Sequence, residues 1–340
     1  MNPGTLALNF HGVRVRVLSQ GGEILSQLAR DFSYFAASPS ADSGQDPNIQ
    51  LELRASPVPK EKVRTRTLLR WRSARISQQG AIRLAHYDGG ALLEYDLARE
   101  SGILHGENPE LLHELSYLTV LSRVGDRLDR KGLHRVHALG FTFQGKGGLL
   151  LLPMEGGKSR LGLELIGRPG FGILSDDIPL LSGGGKSLSA FPLRLGLRGS
   201  DWRGIDARFV RPFHRRRFGV KHLIDVDFFR EKILPEAPLS WVLVGSRDGG
   251  RKAPRIQSCA KARAGAAMVS HLILGVGTPQ ILELMLPPPP FLGGALGLAA
   301  IAAKRAACAF TAVSRAACGR FDLSDDPKSN ADALERFLRG

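Results

Sequence analysis

A chain of 340 residues exceeds the usual size of a single core, so two or three folding units are expected. Its 43% hydrophobic content excludes wholesale disorder, and three cysteines, odd in number and without C-x-x-C spacing, argue against a disulfide framework or a zinc site. A net charge of +15 favours acidic partners such as nucleotides, acidic peptides, nucleic acid or an anionic membrane, without choosing among them.

Val13, Val15 and Val17 alternate with Arg14 and Arg16, as in a half-buried strand, and Glu23 to Phe35 reads as an amphipathic helix. After the polar loop AASPSADSGQDP, Ile49, Leu51 and Leu53 resume a period of two, and short strands follow at Leu68 to Ile76, Ile82 to Tyr87 and Ala91 to Leu97. Residues 1–105 therefore read as a small N-terminal α+β domain without a chemistry-bearing cluster. Asn108-Pro109-Glu110 starts a helix with a capping side chain, a proline at the first helical position and an acid favoured by the dipole. Leucines at three- and four-residue spacing carry it to Gly132.

The stretch from Leu149 to Ile166, LLLLPMEGGKSRLGLELI, reads as an apolar strand, a glycine-rich turn, Lys158-Ser159 and a helix. Loop amides and a helix N-terminus direct partial positive charge at phosphate oxygens, and Gly156 and Gly157 permit close backbone approach. Lys158 would reach the β/γ-phosphates and Ser159 would ligate magnesium. The match to G-x-x-x-x-G-K-S/T is incomplete, because Leu152 occupies the first glycine position and Pro153 follows it. The same stretch also suits an ordinary glycine-rich turn with a solvated lysine. What weighs toward a nucleotide site is ILSDDIPLL, one helix and one strand later: of its two carboxylates, one can hold a metal while the other accepts a proton from an attacking hydroxyl.

These segments, with LHRVHALGFTFQGKGGLLLLP ahead of the loop and FPLRLGL after it, resemble the HPr kinase/phosphorylase family, whose core is shared with phosphoenolpyruvate carboxykinases. The chain is similar also to HPr-kinase-related proteins that accompany peptide-maturation cassettes. His137, Lys158, Ser159, Glu164-Leu165-Ile166, Asp176 and Asp177 fall in the family's pattern over 132–197, whereas the first loop glycine and a family signature segment further on are absent. The resemblance implies an α/β fold with an HPr kinase/phosphoenolpyruvate carboxykinase-like P-loop core over 106–245, completed by a helical C-terminal extension over 246–340. It implies an ATP- and magnesium-dependent kinase acting on a serine hydroxyl of a small protein or precursor peptide. Asp176 would be the base and His137 would contact the catalytic carboxylate or the phosphate. Ser159 and Asp177 would hold magnesium, and Lys158 with the amides of Gly156 and Gly157 would bind phosphates. The alternative is a degenerate member that binds nucleotide as a docking or regulatory protein without transferring phosphate. A carboxykinase acting on a small acid is disfavoured by the short chain.

The run RPFHRRRFGVKH offers Lys221 as a further phosphate contact, or forms a solvated basic face. A nucleic-acid partner is not expected, for want of a recognisable binding fold. Gly275-Val276-Gly277 lacks the third glycine of a dinucleotide loop and precedes Pro279. Further on, a helix is expected over Ala260 to Leu274, a break at Pro287 to Pro290, a helix over Leu296 to Cys318, and a strand, turn and helix in FDLSDDPKSNADALERFL with Asn330 as cap. Asp325-Asp326 reads there as turn chemistry. No charged-then-apolar leader opens the chain, and the apolar run Phe291 to Ala303 is too short to span a bilayer, so a cytoplasmic protein without a membrane partner is expected. A homo-oligomer is compatible with all of these features.

Overall fold

The computed structural model describes residues 4–37, 46–62, 66–71, 74–199, 201–215, 219–247, 250–278, 284 and 292–340. The fold is mixed α/β, with several sheets and helices. Its internal contacts divide the chain into two units: residues 1–128 with 279–299, and residues 129–278 with 300–340.

The first unit is built on an eight-stranded sheet of β1 (Gly4–Phe10), β2 (Val13–Ser19), β3 (Ile49–Arg54), β4 (Leu69–Trp71), β5 (Ala74–Gln79), β6 (Ile82–Tyr87), β7 (Ala91–Asp96) and β8 (Ser101–Gly106), in the order β1-β2-β3-β8-β7-β6-β5-β4. The expected alternation holds in β2, where Val13, Val15 and Val17 are buried. The hairpin from β1 to β2 turns on two left-handed residues, His11 and Gly12. The single strand expected over Leu68 to Ile76 is two antiparallel strands, β4 and β5. Helix α1 (Gly22–Asp31) stops short of the expected Phe35, because Phe32 leaves helical geometry and Ser33–Phe35 forms a 3₁₀ turn that buries Phe35. Helix α2 (Pro109–Arg130) begins as expected, with Asn108 Oδ1 accepting from the Leu111 amide at 2.9 Å. The expected polar loop lies mostly outside the described residues, and the Pro287 to Pro290 break lies wholly outside them.

The second unit carries β9 (His134–Arg135), β10 (Leu139–Phe143), β11 (Lys146–Leu151), helix α3 (Lys158–Ile166), β12 (Phe171–Ser175), β13 (Leu180–Ser182), β14 (Ser187–Ser189), β15 (Leu195–Leu197), β16 (Val210–Arg215), β17 (Gly219–Ile224), β18 (Glu236–Arg247), β19 (Arg255–Ser258), helix α4 (Lys261–Met268), the part of helix α5 (Leu292–Arg315) from Ala300 onward, β20 (Ala317–Leu323) and helix α6 (Pro327–Arg339). Strands β11 and β20 run parallel to β18, and β10 pairs antiparallel with both β11 and β12. The C-terminal ends of β11, β12, β18 and β20 therefore lie at one edge of the sheet, where ligands bind in open α/β sheets. Strands β10 and β12 are buried throughout, which is why their sequences carry no charged residue and do not alternate. Gly148 leaves room for the Phe141 ring, since a Cβ there would lie 2.3 Å from Phe141 Cζ. Strands β15, β17 and β16 form a separate antiparallel sheet.

Three expectations for the C-terminal segment are corrected. The helix expected over Ala260 to Leu274 is α4 followed by a π-helical turn, Val269–Ile273. The helix expected to Cys318 ends at Arg315, and Ala317–Leu323 is a strand of the main sheet, whose pairing with β18 outweighs local helix propensity. The N-cap of α6 is Asp326, which accepts from the Lys328 and Ser329 amides; Asn330 is instead buried one turn further on, with its side chain bonded to Ser324. The apolar segment thus continues well past Ala303. By length and composition alone, Leu296–Arg315 (mean hydropathy 1.5) would suffice to cross a membrane, a test that core helices of soluble proteins also pass.

Candidate active site

Six residues, Leu152 to Gly157, join β11 to α3. Glu155 and Gly157 have positive φ, and Gly157 is the helix N-cap without a side-chain capping bond. The Leu161 amide bonds the Gly157 carbonyl at 3.0 Å and opens the helical ladder. The amides of Lys158 to Arg160 therefore lie ahead of that ladder with no acceptor inside the helix, as an anion site requires. The Gly156 amide, in contrast, bonds Pro153 O at 3.1 Å within the loop. A Cβ on Gly156 would lie 3.0 Å from Pro153 O.

Lys158 is buried beneath the loop. Its Nζ donates to Leu152 O and Pro153 O, both at 3.1 Å, lies 3.0 Å from His137 Nε2 and is 3.7 Å from Asp177 Oδ1. Burial lowers the pKa of this ammonium, while Asp177 and Asp176 oppose the shift. On the following residue, Ser159 Oγ donates to Asp176 Oδ2 at 2.6 Å.

The two aspartates diverge. A register shift between β10 and β12, where Gly140 faces Ser175 and Phe141 faces Ile173, leaves Leu174 as an extra residue and bends the end of β12. Asp176 is buried, whereas the Asp177 side chain is 43% exposed. Burial and then the Asp177 charge push the Asp176 carboxyl up to about 7, against the Ser159 hydrogen bond and the charges of Lys158 and Lys221. For Asp177 the burial cost is outweighed by the His137 hydrogen bond and the Lys158 charge, so its pKa is lowered. His137 meets Asp177 at 3.2 Å because their backbones are neighbours: the Ala138 amide bonds Asp177 O at 3.1 Å and the Val136 amide bonds Pro179 O at 3.0 Å.

Lys221 sits on β17, next to Gly196 of β15, and its charge acts on both carboxylates. Of the neighbouring arginines, Arg216 and Arg217 and the side chain of Arg215 lie outside the described residues. The structure thus gathers His137, Lys158, Ser159, Asp176 and Asp177 into one cluster, with Lys221 at its electrostatic margin. The donor types suit magnesium: the Ser159 hydroxyl and the Asp177 carboxylate are hard oxygen ligands of the kind that complete a shell with phosphate oxygens and water. Among the described residues no group of three or more His, Cys, Asp or Glu is placed to hold a metal without such help.

Sequence reasoning missed two residues at this edge. Arg247, at the end of β18, lies 3.8 Å from the position of a Cβ on Gly157 and pairs with Asp325 at 2.9 Å. A small cavity over the loop is lined by Gly156, Gly157, Arg160, Arg247 and Asp325. Asp325 was legible only as half of a turn-forming acidic pair, and Arg247 only as one charge among many.

No family model matches the chain, and no curated protein matches it. Among solved structures it is similar to the HPr(Ser) kinase/phosphatase from Coxiella burnetii, at 17% identity and a TM-score of 0.22, over 37% of this chain and 76% of that one.

Proposed function

We propose that this chain is an ATP-dependent phosphotransferase that moves the γ-phosphoryl group to a hydroxyl, with a serine of a small protein or precursor peptide as acceptor. The observation that carries the reading is the convergence of Lys158-Ser159 on Asp176-Asp177: a loop–helix anion site and an acidic pair meet at the same sheet edge. Lys158 and the amides at the start of α3 bind phosphate charge. Asp176 is the base, since a carboxyl titrating near 7 combines the deprotonated state with useful basicity. Ser159 and Asp177 would hold magnesium, which would supply neutralisation of the developing phosphate charge. His137 holds Asp177 and Lys158 in register, and Lys221 adds positive charge beside the two carboxylates as a further phosphate contact.

Calorimetric titration of MgATP into the parent and into Lys158→Ala tests the proposal. Binding in the parent, lost in the folded variant, is expected, because loop amides alone do not neutralise the β/γ charge. Equal affinity in both sinks the phosphate-loop assignment.

A second reading, a nucleotide-binding docking protein without transfer, is favoured by one observation: the Gly156 amide and the Lys158 ammonium are both bonded to loop carbonyls. MgATP binding with no phosphate release or transfer to any hydroxyl would support it.

A further inference from the structure

His137 is held by backbone and ring contacts from a segment 134 residues away in sequence. Its amide donates to His271 O at 2.9 Å, and His271 Nδ1 donates back to His137 O at 2.7 Å. The two imidazoles stack at 5.4 Å between centroids and 18° between planes. Gly277 touches the His137 ring as well: a Cβ there would lie 2.4 Å from His137 Cε1, and its φ of +90° already disfavours any other residue. The ring is thus seated against His271 and the Gly277 backbone, with Nε2 turned to Lys158 and Asp177.

The seat is itself anchored. Its π-helical turn leaves carbonyls at a helix end, and Arg305 Nη1 donates to two of them, Leu272 O at 3.2 Å and Ile273 O at 3.1 Å. The rest of the Arg305 guanidinium is paired with Asp129, Nε to Oδ1 at 3.1 Å and Nη2 to Oδ2 at 2.5 Å. Asp129 also meets His134 Nδ1 at 3.0 Å and lies 3.6 Å from Arg135, on the strand that leads directly to His137. One buried carboxylate therefore ties together the two chain segments that enclose the histidine. Burial of both charges makes the pair sensitive to loss of either partner.

We propose that His271, Gly277 and the Arg305–Asp129 pair are positioning residues that fix the orientation of the His137 ring against Lys158 and Asp177. Gly277 is explained by this packing and not by a dinucleotide. The proposal rests on the reading of His137 as a site residue, and its test is read on the ring itself as well as on turnover.

The experiment uses the full chain with nitrogen-15-labelled histidine, the His137 ring signals being identified by their absence in His137→Gln. His271→Phe keeps ring bulk but loses the Nδ1 donor, and Gly277→Ala forces a methyl into the ring; both should displace the His137 Nε2 resonance. His271→Asn, which retains a donor toward His137 O, should restore it, and Val276→Ala, at a position 60% exposed, should leave it unchanged. In MgATP turnover, His271→Phe should lower kcat about tenfold or more with KM held within about twofold, the pattern of a misaligned group rather than weakened binding. Arg305→Lys should resemble His271→Phe, since an ammonium cannot span a carboxylate and two carbonyls. Should Arg305→Lys fail to fold, the His271 pair still decides. An unmoved His137 resonance in His271→Phe and Gly277→Ala overturns the proposal, as does equal loss in His271→Asn and His271→Phe that merely follows thermal stability. A parent that binds no MgATP would remove the phosphotransferase reading and leave the resonance to decide the seat.

Discussion

Ser159 Oγ and Asp176 Oδ2 lie 2.6 Å apart although 17 residues separate them, so the hydroxyl expected to face magnesium is bonded to the carboxyl expected to act as base. This bond favours the ionised carboxylate, opposing the burial and the Asp177 charge that raise the pKa to about 7. Turnover should therefore rise with pH through about 7 as Asp176 loses its proton. In Ser159→Ala that limb should move to higher pH, because one interaction favouring the anion is gone. A pH–kcat profile checks both, and a coincident limb in parent and variant would detach Asp176 from the base role.

The same raised pKa has a consequence for stability. A carboxyl that binds its proton more tightly folded than unfolded makes stability fall as pH rises from the unfolded value, near 4, to about 7. Asp176→Asn removes that cost. At ~1.4 kcal/mol per pH unit of displacement, the gain at pH 8 is bounded by ~4 kcal/mol and shrinks towards zero below pH 4. Urea denaturation at pH 4 and pH 8 measures it, and the variant should at the same time bind MgATP yet lose transfer.

Asp177→Asn should act differently. Its carboxylate faces the His137 ring and the Lys158 ammonium and is the more exposed of the pair, so its loss should lower magnesium affinity by at least the roughly 10–100-fold typical of altered outer-shell partners. Magnesium titration of ATP turnover gives the value. Identical magnesium curves would leave Asp177 a structural acceptor only.

Gly148→Ala addresses the sheet beneath the loop. The added methyl would meet the Phe141 ring at 2.3 Å, and Phe141 is fully buried, so the overpacking should cost ~1–3 kcal/mol or more. Thermal denaturation reads the loss. Gly145→Ala, at a turn with open space around it, is a useful contrast, because only its positive φ opposes the substitution.

Lys221 acts on the acidic pair from the separate three-stranded sheet. Neutralising Lys221 with Arg215 to Arg217 should raise the KM for an acidic acceptor and flatten its salt dependence, since attraction between charges through solvent is screened over about 8 Å at physiological ionic strength. Parental kinetics at low salt would reduce the run to a solvated face.

The local chemistry was legible in the sequence because it depends on neighbours along the chain. A strand, a glycine turn and Lys158-Ser159 must place a lysine and a hydroxyl at a helix N-terminus, and Asn108-Pro109-Glu110 must start a helix. The acidic pair was legible as residue types, but both aspartates lie in the bend that follows β12, so strand periodicity does not set their divergence. Which carboxylate meets which partner was decided by the β10/β12 register shift, a feature of strand pairing with no local signal. Cys318 left the expected helix because β18 offered a parallel edge. Arg247, Asp325, His271 and Gly277 came to the site only through the parallel order of β11, β18 and β20 and through the π-helical turn. Their sequences carry charge, turn chemistry or small size, which many folds can use. Contacts between residues far apart in the chain depend on how sheets pair and helices pack, and those choices are made by burial across the whole unit.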